Sequence, residues 1–329
     1  MMRRWLKRPE GANWGLFGED DQIGRMNLIT PARRLAAVAS VTEGLAFPLS
    51  LPLDHPKKQI FAGRNPPVLS PTISADGRTM YDWMPAGGPI DVVNDDQVML
   101  GLQYSTQWDG LSHYGTCFDA DDDGVAEHVF YNGYRIDRDF VLPGEGRAPA
   151  ALALGIEKLA EAGVQGRGVL VDLRRSDEKV GYDALMRAMA EQGAEVGEGD
   201  LLCLYTGYAD ILLRDGADVS DAELAACPGL DGKDSALLDW IDRSGIAAIC
   251  ADNSMVEKID GVNRCAGTAM MPLHEHCLVR LGIHLGEFWW FGALAPALAE
   301  RGRSHFLLTA PPLNLPGAVG SPVTPIATI

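Results

Sequence analysis

The stretch Gln103-Tyr104-Ser105-Thr106-Gln107-Trp108-Asp109-Gly110-Leu111-Ser112-His113 sets two carboxamides four residues apart, then a carboxylate, then an imidazole four residues further on. In an extended strand alternate side chains share a face, so Gln107 and Asp109 point into one pocket. A turn at Gly110 then brings His113 back toward them. Carboxylate and imidazole gathered in this way build either a metal site or an acid/base site. Tyr104 and Trp108 alternate away, to pack on the core or to offer an aromatic contact to a substrate.

The rest of the chain bounds what such a site serves. With 329 residues, 47% of them hydrophobic and 22% charged, the composition is that of a globular protein able to bury a sizeable core. A formal charge of −17 lacks the basic footprint that nucleic acid or anionic membrane requires. The expected partner is therefore a small-molecule substrate, with no nucleic acid and no membrane. No apolar run reaches the roughly 20 residues that span a bilayer, and the basic segment 1–10 has no apolar stretch after it, as a secretory signal would. The expected location is the cytoplasm. Cysteines at 117, 203, 227, 250, 265 and 277 show no C-x-x-C spacing and read as buried free thiols.

Residues 13–24 mix aromatics, glycines and acids without periodicity and read as a structured arm. Thr30 and Pro31 cap and start a helix over 31–41, with Leu35, Val38 and Ala39 on one face. A strand is expected over 45–53. Residues 54–95, rich in Pro, Gly and Asp, form a long irregular excursion of the kind that surrounds a functional site. From 148 onward helices (148–162, 182–192, 235–243) alternate with strands (168–173, 201–205, 246–250), which implies an α/β core. A helix over 291–299, a strand over 305–309 and an extended Pro- and Gly-rich tail follow. The expected division is an arm and helix over 1–44 and one catalytic domain over 45–329.

A second polar cluster is Pro272-Leu273-His274-Glu275-His276, followed by Gly282-Ile283-His284-Leu285-Gly286-Glu287. His276 and His284 read as polar residues on a helix face and a strand face, with a ligand role as the fallback. The run Asp119-Ala120-Asp121-Asp122-Asp123-Gly124 begins like a calcium loop, but Phe130 stands where the closing glutamate belongs. It reads as a solvated acidic turn. Gly317 to Pro322 is no nucleophile elbow, and Cys117 lacks a basic neighbour to activate it.

The first stretch resembles the signature His-x-Gly-Thr-His-x-Asp-x-Pro-x-His of the cyclase family that includes kynurenine formamidase and isatin hydrolase. Thr106, Asp109 and His113 match it. Gln103 and Gln107 stand in place of its two leading histidines, Ser105 in place of Gly and Leu111 in place of Pro. The segments 129–133 (with Tyr131) and 317–322 also resemble parts of the family, so that the likeness runs over most of the chain. The resemblance implies a swivelling β/β/α fold, an α/β architecture whose mixed sheet is closed toward a barrel with helices outside, in a homodimer or homotetramer. It implies His274 and Glu287 as metal ligands beside Asp109.

A carboxamide is a poor ligand for zinc, so one divalent ion, zinc or manganese, is expected, held by Asp109, His274 and Glu287 with Gln107 as a fourth contact. His113 would then be the general acid/base, and Gln103, Trp108 and Tyr131 substrate contacts. The implied activity is hydrolysis of a non-peptide C–N bond in a formamide or cyclic amide, or of a related lactone. The alternative is a metal-free or vestigial site that binds or isomerises a small carbonyl compound.

Overall fold

In the computed structural model, which describes residues 4–214, 218–259 and 267–329, nine strands form one mixed sheet: β1 (Ala46–Pro48), β2 (Gln107–Asp109), β3 (Gln165–Asp172), β4 (Leu201–Tyr205), β5 (Ala248–Ala251), β6 (His284–Glu287), β7 (His305–Thr309), β8 (Gly320–Pro322) and β9 (Ile326–Thr328). Their spatial order is β1-β9-β7-β3-β4-β5-β6-β2-β8, and the sheet curls into a half-barrel. β3, β4, β5 and β6 run parallel at its centre, and antiparallel strands extend both sides.

Continuous apolar runs such as Leu201-Leu202-Cys203-Leu204 suit strands covered on both faces. On one face Val169, Val171, Leu202, Leu204, Ile249 and Leu285 pack with Leu185 of α3 (Tyr182–Gln192) and Leu237 and Ile241 of α4 (Ser235–Ser244). On the other, Leu170, Leu201, Cys203, Cys250 and Trp108 pack with Leu294 and Leu298 of α5 (Leu294–Glu300). α1 (Pro31–Ala39) is capped by Thr30, whose side chain accepts from Arg33 N, and α2 (Ile156–Ala162) precedes β3. Each fully buried leucine or isoleucine stabilises by roughly 1.5–3 kcal/mol. The same apolar surround keeps water from polar groups at the strand ends.

Several expectations need correction. The strand over 45–53 shrinks to β1, because Pro48 and Pro52 have no N–H to give a ladder. The helix over 148–162 shrinks to α2: Ala150–Ala151 pair with Phe140–Val141, and Leu154 takes a positive φ before the Gly155 cap. On α1 the buried residue is Ala37, while Leu35 and Val38 are exposed. The tail is not merely extended: β8 and β9 both lie in the main sheet. Residues 54–95 are irregular, as expected, apart from short pairings that include Val68–Pro71 with Asp96–Met99.

Cys203, Cys250 and Cys277 are buried free thiols, Cys227 is half-buried and Cys117 exposed; Cys265 lies outside the described residues. Among the described residues no helix is long and apolar enough to cross a membrane.

Candidate metal centre

Strand alternation and register assemble the centre. β2 pairs antiparallel with β6, Gln107 opposite Glu287 and Asp109 opposite Leu285. Gln107, Asp109 and Glu287 therefore project from one face, and Trp108 from the other. Thr106 locks the approach to β2: its hydroxyl donates to Phe288 O at 2.5 Å and accepts from Leu51 N at 2.9 Å. Gly110 follows at a close crossing, where a Cβ would lie 2.7 Å from Val319 O. The turn it begins, with His113 N donating to Gly110 O, returns His113 to the site.

The third member comes from a short helical turn, Pro272–His274, continued by a π-helix over Glu275–Leu281. Glu257 sets this turn. One of its oxygens accepts from His274 N at 3.0 Å and from His274 Nδ1 at 2.7 Å, and the other from Leu273 N at 3.2 Å. A carboxylate on Nδ1 fixes the imidazole with Nε2 facing the other acids, the usual support of a metal-bound histidine.

His274 Nε2 lies 3.5 Å from Glu287 Oε1 and 4.0 Å from Asp109 Oδ2. These three residues offer ligand atoms within 4.8 Å of one another, all buried. Each carboxylate divides its two oxygens. Asp109 Oδ1 accepts from Gln107 Nε2 at 3.2 Å and lies 3.7 Å from His113 Nε2, while its buried Oδ2 has no hydrogen-bond partner. Glu287 Oε2 accepts from Gln107 Nε2 at 2.9 Å and lies 3.9 Å from Arg64 Nη1.

Burial, then repulsion from Asp109, raises Glu287 to about 7. Burial alone would lower His274, but hydrogen bonds and charge from Glu257 and Glu287 outweigh it and raise the imidazole to about 9. Two buried carboxylates with an unpartnered oxygen facing an oriented imidazole nitrogen suit a metal cation.

Of the expected site residues, Asp109, His274, Glu287, Gln107 and His113 come together. Gln107 does so as a donor bridging the two carboxylates, with its own Oε1 buried and unpartnered. Gln103 does not join them by a hydrogen bond; its buried Nε2 has no partner and lies above Gly320.

The expected substrate contacts Trp108 and Tyr131 are both 0% exposed and turned to other partners. Trp108 packs edge-on against Trp289 and donates to Ala310 O, and Tyr131 donates to Asp21 of the N-terminal arm. His276 Nε2 meets Leu238 O, and His284 is buried on β6. Neither enters a metal-holding cluster among the described residues.

Asp119, Asp121, Asp123 and Glu127 also lie close together. Their charges are met locally: Asp119 accepts from the Asp123 and Gly124 amides, Glu127 from Ala120 N, and Arg135 bridges Asp121 and Glu127.

Sequence reasoning missed Glu257 and Arg64. The signal for Glu257 was an acid in the loop that follows a buried parallel strand, where open α/β sheets place their ligands. No spacing rule pointed to Arg64, which arrives from the irregular excursion.

A Cyclase family model matches residues 47–258. A crystal structure described as a novel cyclase is 31% identical, covering 97% of this chain and 100% of its own, with a TM-score of 0.76. Isatin hydrolase A from Ralstonia solanacearum superposes at 0.54 with 16% identity over 91% of this chain and 97% of its own. A predicted metal-dependent hydrolase from Bacillus stearothermophilus does so at 0.50 with 11% identity over 87% and 98%. At those two identities the likeness is one of fold. No curated protein matches at a significant level. From the extent of the family match and the identity to the novel cyclase, the chain belongs to the Cyclase family.

Proposed function

We propose that the protein is a metal-dependent hydrolase of a small molecule, cleaving a non-peptide C–N bond in a formamide or cyclic amide, or the ester bond of a related lactone. The observation that carries this reading is the buried convergence of Asp109 Oδ2, Glu287 Oε1 and His274 Nε2. Asp109, Glu287 and His274 would hold one zinc or manganese ion. When bound, the ion supplies Lewis acidity, polarising a carbonyl and bringing water's pKa toward neutrality.

The remaining work falls to the chain. Glu257 keeps His274 Nε2 directed at the centre, and the Gln107 amide holds one oxygen of each carboxylate in place. His113 is placed to act as general acid/base. Its side chain is 22% exposed, and Nε2 stands 3.7 Å from Asp109, at the accessible side of an otherwise buried cluster. In that position it takes a proton from water and returns it to the leaving nitrogen, work that contributes typically 10²–10⁴-fold.

One observation favours a second reading, a metal-free site that binds or isomerises a small carbonyl compound. The Gln107 donor and an imidazolium at His274 partly neutralise Asp109 and Glu287 without an ion. Protein purified without added metal and assayed on formamides, cyclic imides and lactones, with and without chelator, separates the two. Hydrolysis lost on chelation and restored by one divalent ion supports the hydrolase. Turnover or ligand binding indifferent to chelator supports the alternative.

A further inference from the structure

Arg64 belongs to the irregular excursion, and its guanidinium reaches the edge of the centre at Glu287. Nη1 donates to Gln103 O at 3.2 Å and stands 3.9 Å from Glu287 Oε2, the oxygen that faces away from His274. The guanidinium lies 4.4 Å from the Phe61 ring centroid, which covers one of its faces. Nε and Nη2 have no hydrogen-bond partner among the described residues, and the side chain is 27% exposed. Those two nitrogens form the side-on edge of the guanidinium, the fork that matches a carboxylate with two parallel N–H···O bonds. A cavity of about 360 Å³ has Phe61, Ile60, Tyr208, Glu257 and Lys258 in its wall; it shares Phe61 with Arg64 and Glu257 with His274, and Arg64 itself does not line it.

We propose that Arg64 is a specificity residue that receives a carboxylate beside the metal centre through its Nε/Nη2 edge. In a chain of net charge −17 an anionic ligand needs such a local cation. The inference rests on the hydrolase reading and names the chemistry of its ligand. The carboxylate has two sources. The substrate carries one, or hydrolysis forms it: water gives its oxygen to the acyl carbon, the C–N bond breaks, the amine leaves with a proton, and a carboxylate remains.

Calorimetric titration with benzoate and with its neutral isostere benzamide tests this without turnover, so its failure is separate from failure of the hydrolase reading. Arg64→Met is expected to weaken benzoate about tenfold or more while leaving benzamide and metal content unchanged. Arg64→Lys, which keeps the charge and loses the fork, is expected to fall between. Unchanged benzoate binding in Arg64→Met, or equal loss of benzoate, benzamide and metal, overturns the proposal. Once a substrate is in hand, a raised KM confined to carboxylate-bearing amides assigns the group to the substrate. Relief of product inhibition for neutral amides as well assigns it to the product acid. Neither change in Arg64→Met also overturns the proposal.

Discussion

Replacing Glu257 by Gln tests whether His274 is oriented for a metal. The carboxylate makes three contacts, to His274 Nδ1, His274 N and Leu273 N. A glutamine keeps one acceptor oxygen and turns its amide N–H groups toward a backbone donor, so at least one buried N–H loses its partner, at a cost of about 1–3 kcal/mol in stability. It also removes the negative charge that makes Nε2 a better ligand. Losing such a supporting carboxylate weakens metal binding by about 10–100-fold, or about 1.4–2.7 kcal/mol. The assay is competition for zinc against a chromophoric chelator, with thermal melts to confirm folding. Glu275→Gln is the control, because Glu275 pairs with Arg280 and makes no hydrogen bond to His274. Zinc affinity within twofold of wild type in Glu257→Gln, or an equal loss in both variants, refutes the reasoning.

His113→Asn is expected to lower turnover by roughly 10²-fold or more with metal content intact; loss of both together makes His113 a ligand, and loss of neither removes it from the mechanism. Gln107→His puts an imidazole between Asp109 and Glu287 in place of an amide donor, and is expected to tighten zinc binding in the same chelator competition; unchanged affinity shows that position 107 does not address the ion. Burial lowers His284 to about 3, below the 6.5 of an unfolded chain, so between those values the unfolded state binds a proton that the fold refuses, and stability falls as pH drops. His284→Val is expected to reduce the loss of unfolding free energy between pH 7.5 and 5 by roughly 2 kcal/mol, read by denaturant titration at each pH, whereas parallel profiles would show that His284 is not buried neutral.

The α/β core was legible because its strands are uninterrupted apolar runs, and α1 because Thr30 caps it. Boundaries failed where local chemistry overrode the pattern: the prolines that cut β1 short, and the Leu154 and Gly155 backbone that delays α2. β8 and β9 were illegible because short strands in a Pro- and Gly-rich tail show no period. At the site, the period of two placed Gln107 and Asp109 together, and the His274 to Glu287 interval was readable only through a family resemblance. Trp108 stayed between core packing and substrate contact because alternation says which side chains share a face and not which face is open. Glu257 and Arg64 come from loops, and only tertiary packing brings loops to a site.

Asp109, His274 and Glu287 are proposed to hold one divalent ion. Elemental analysis of protein equilibrated with zinc and freed of loosely bound metal tests it most directly, with Asp109→Ala run in parallel. About one equivalent per chain is expected in the wild type and almost none in the variant. No tightly held ion in the wild type, two equivalents, or full retention in Asp109→Ala would contradict it.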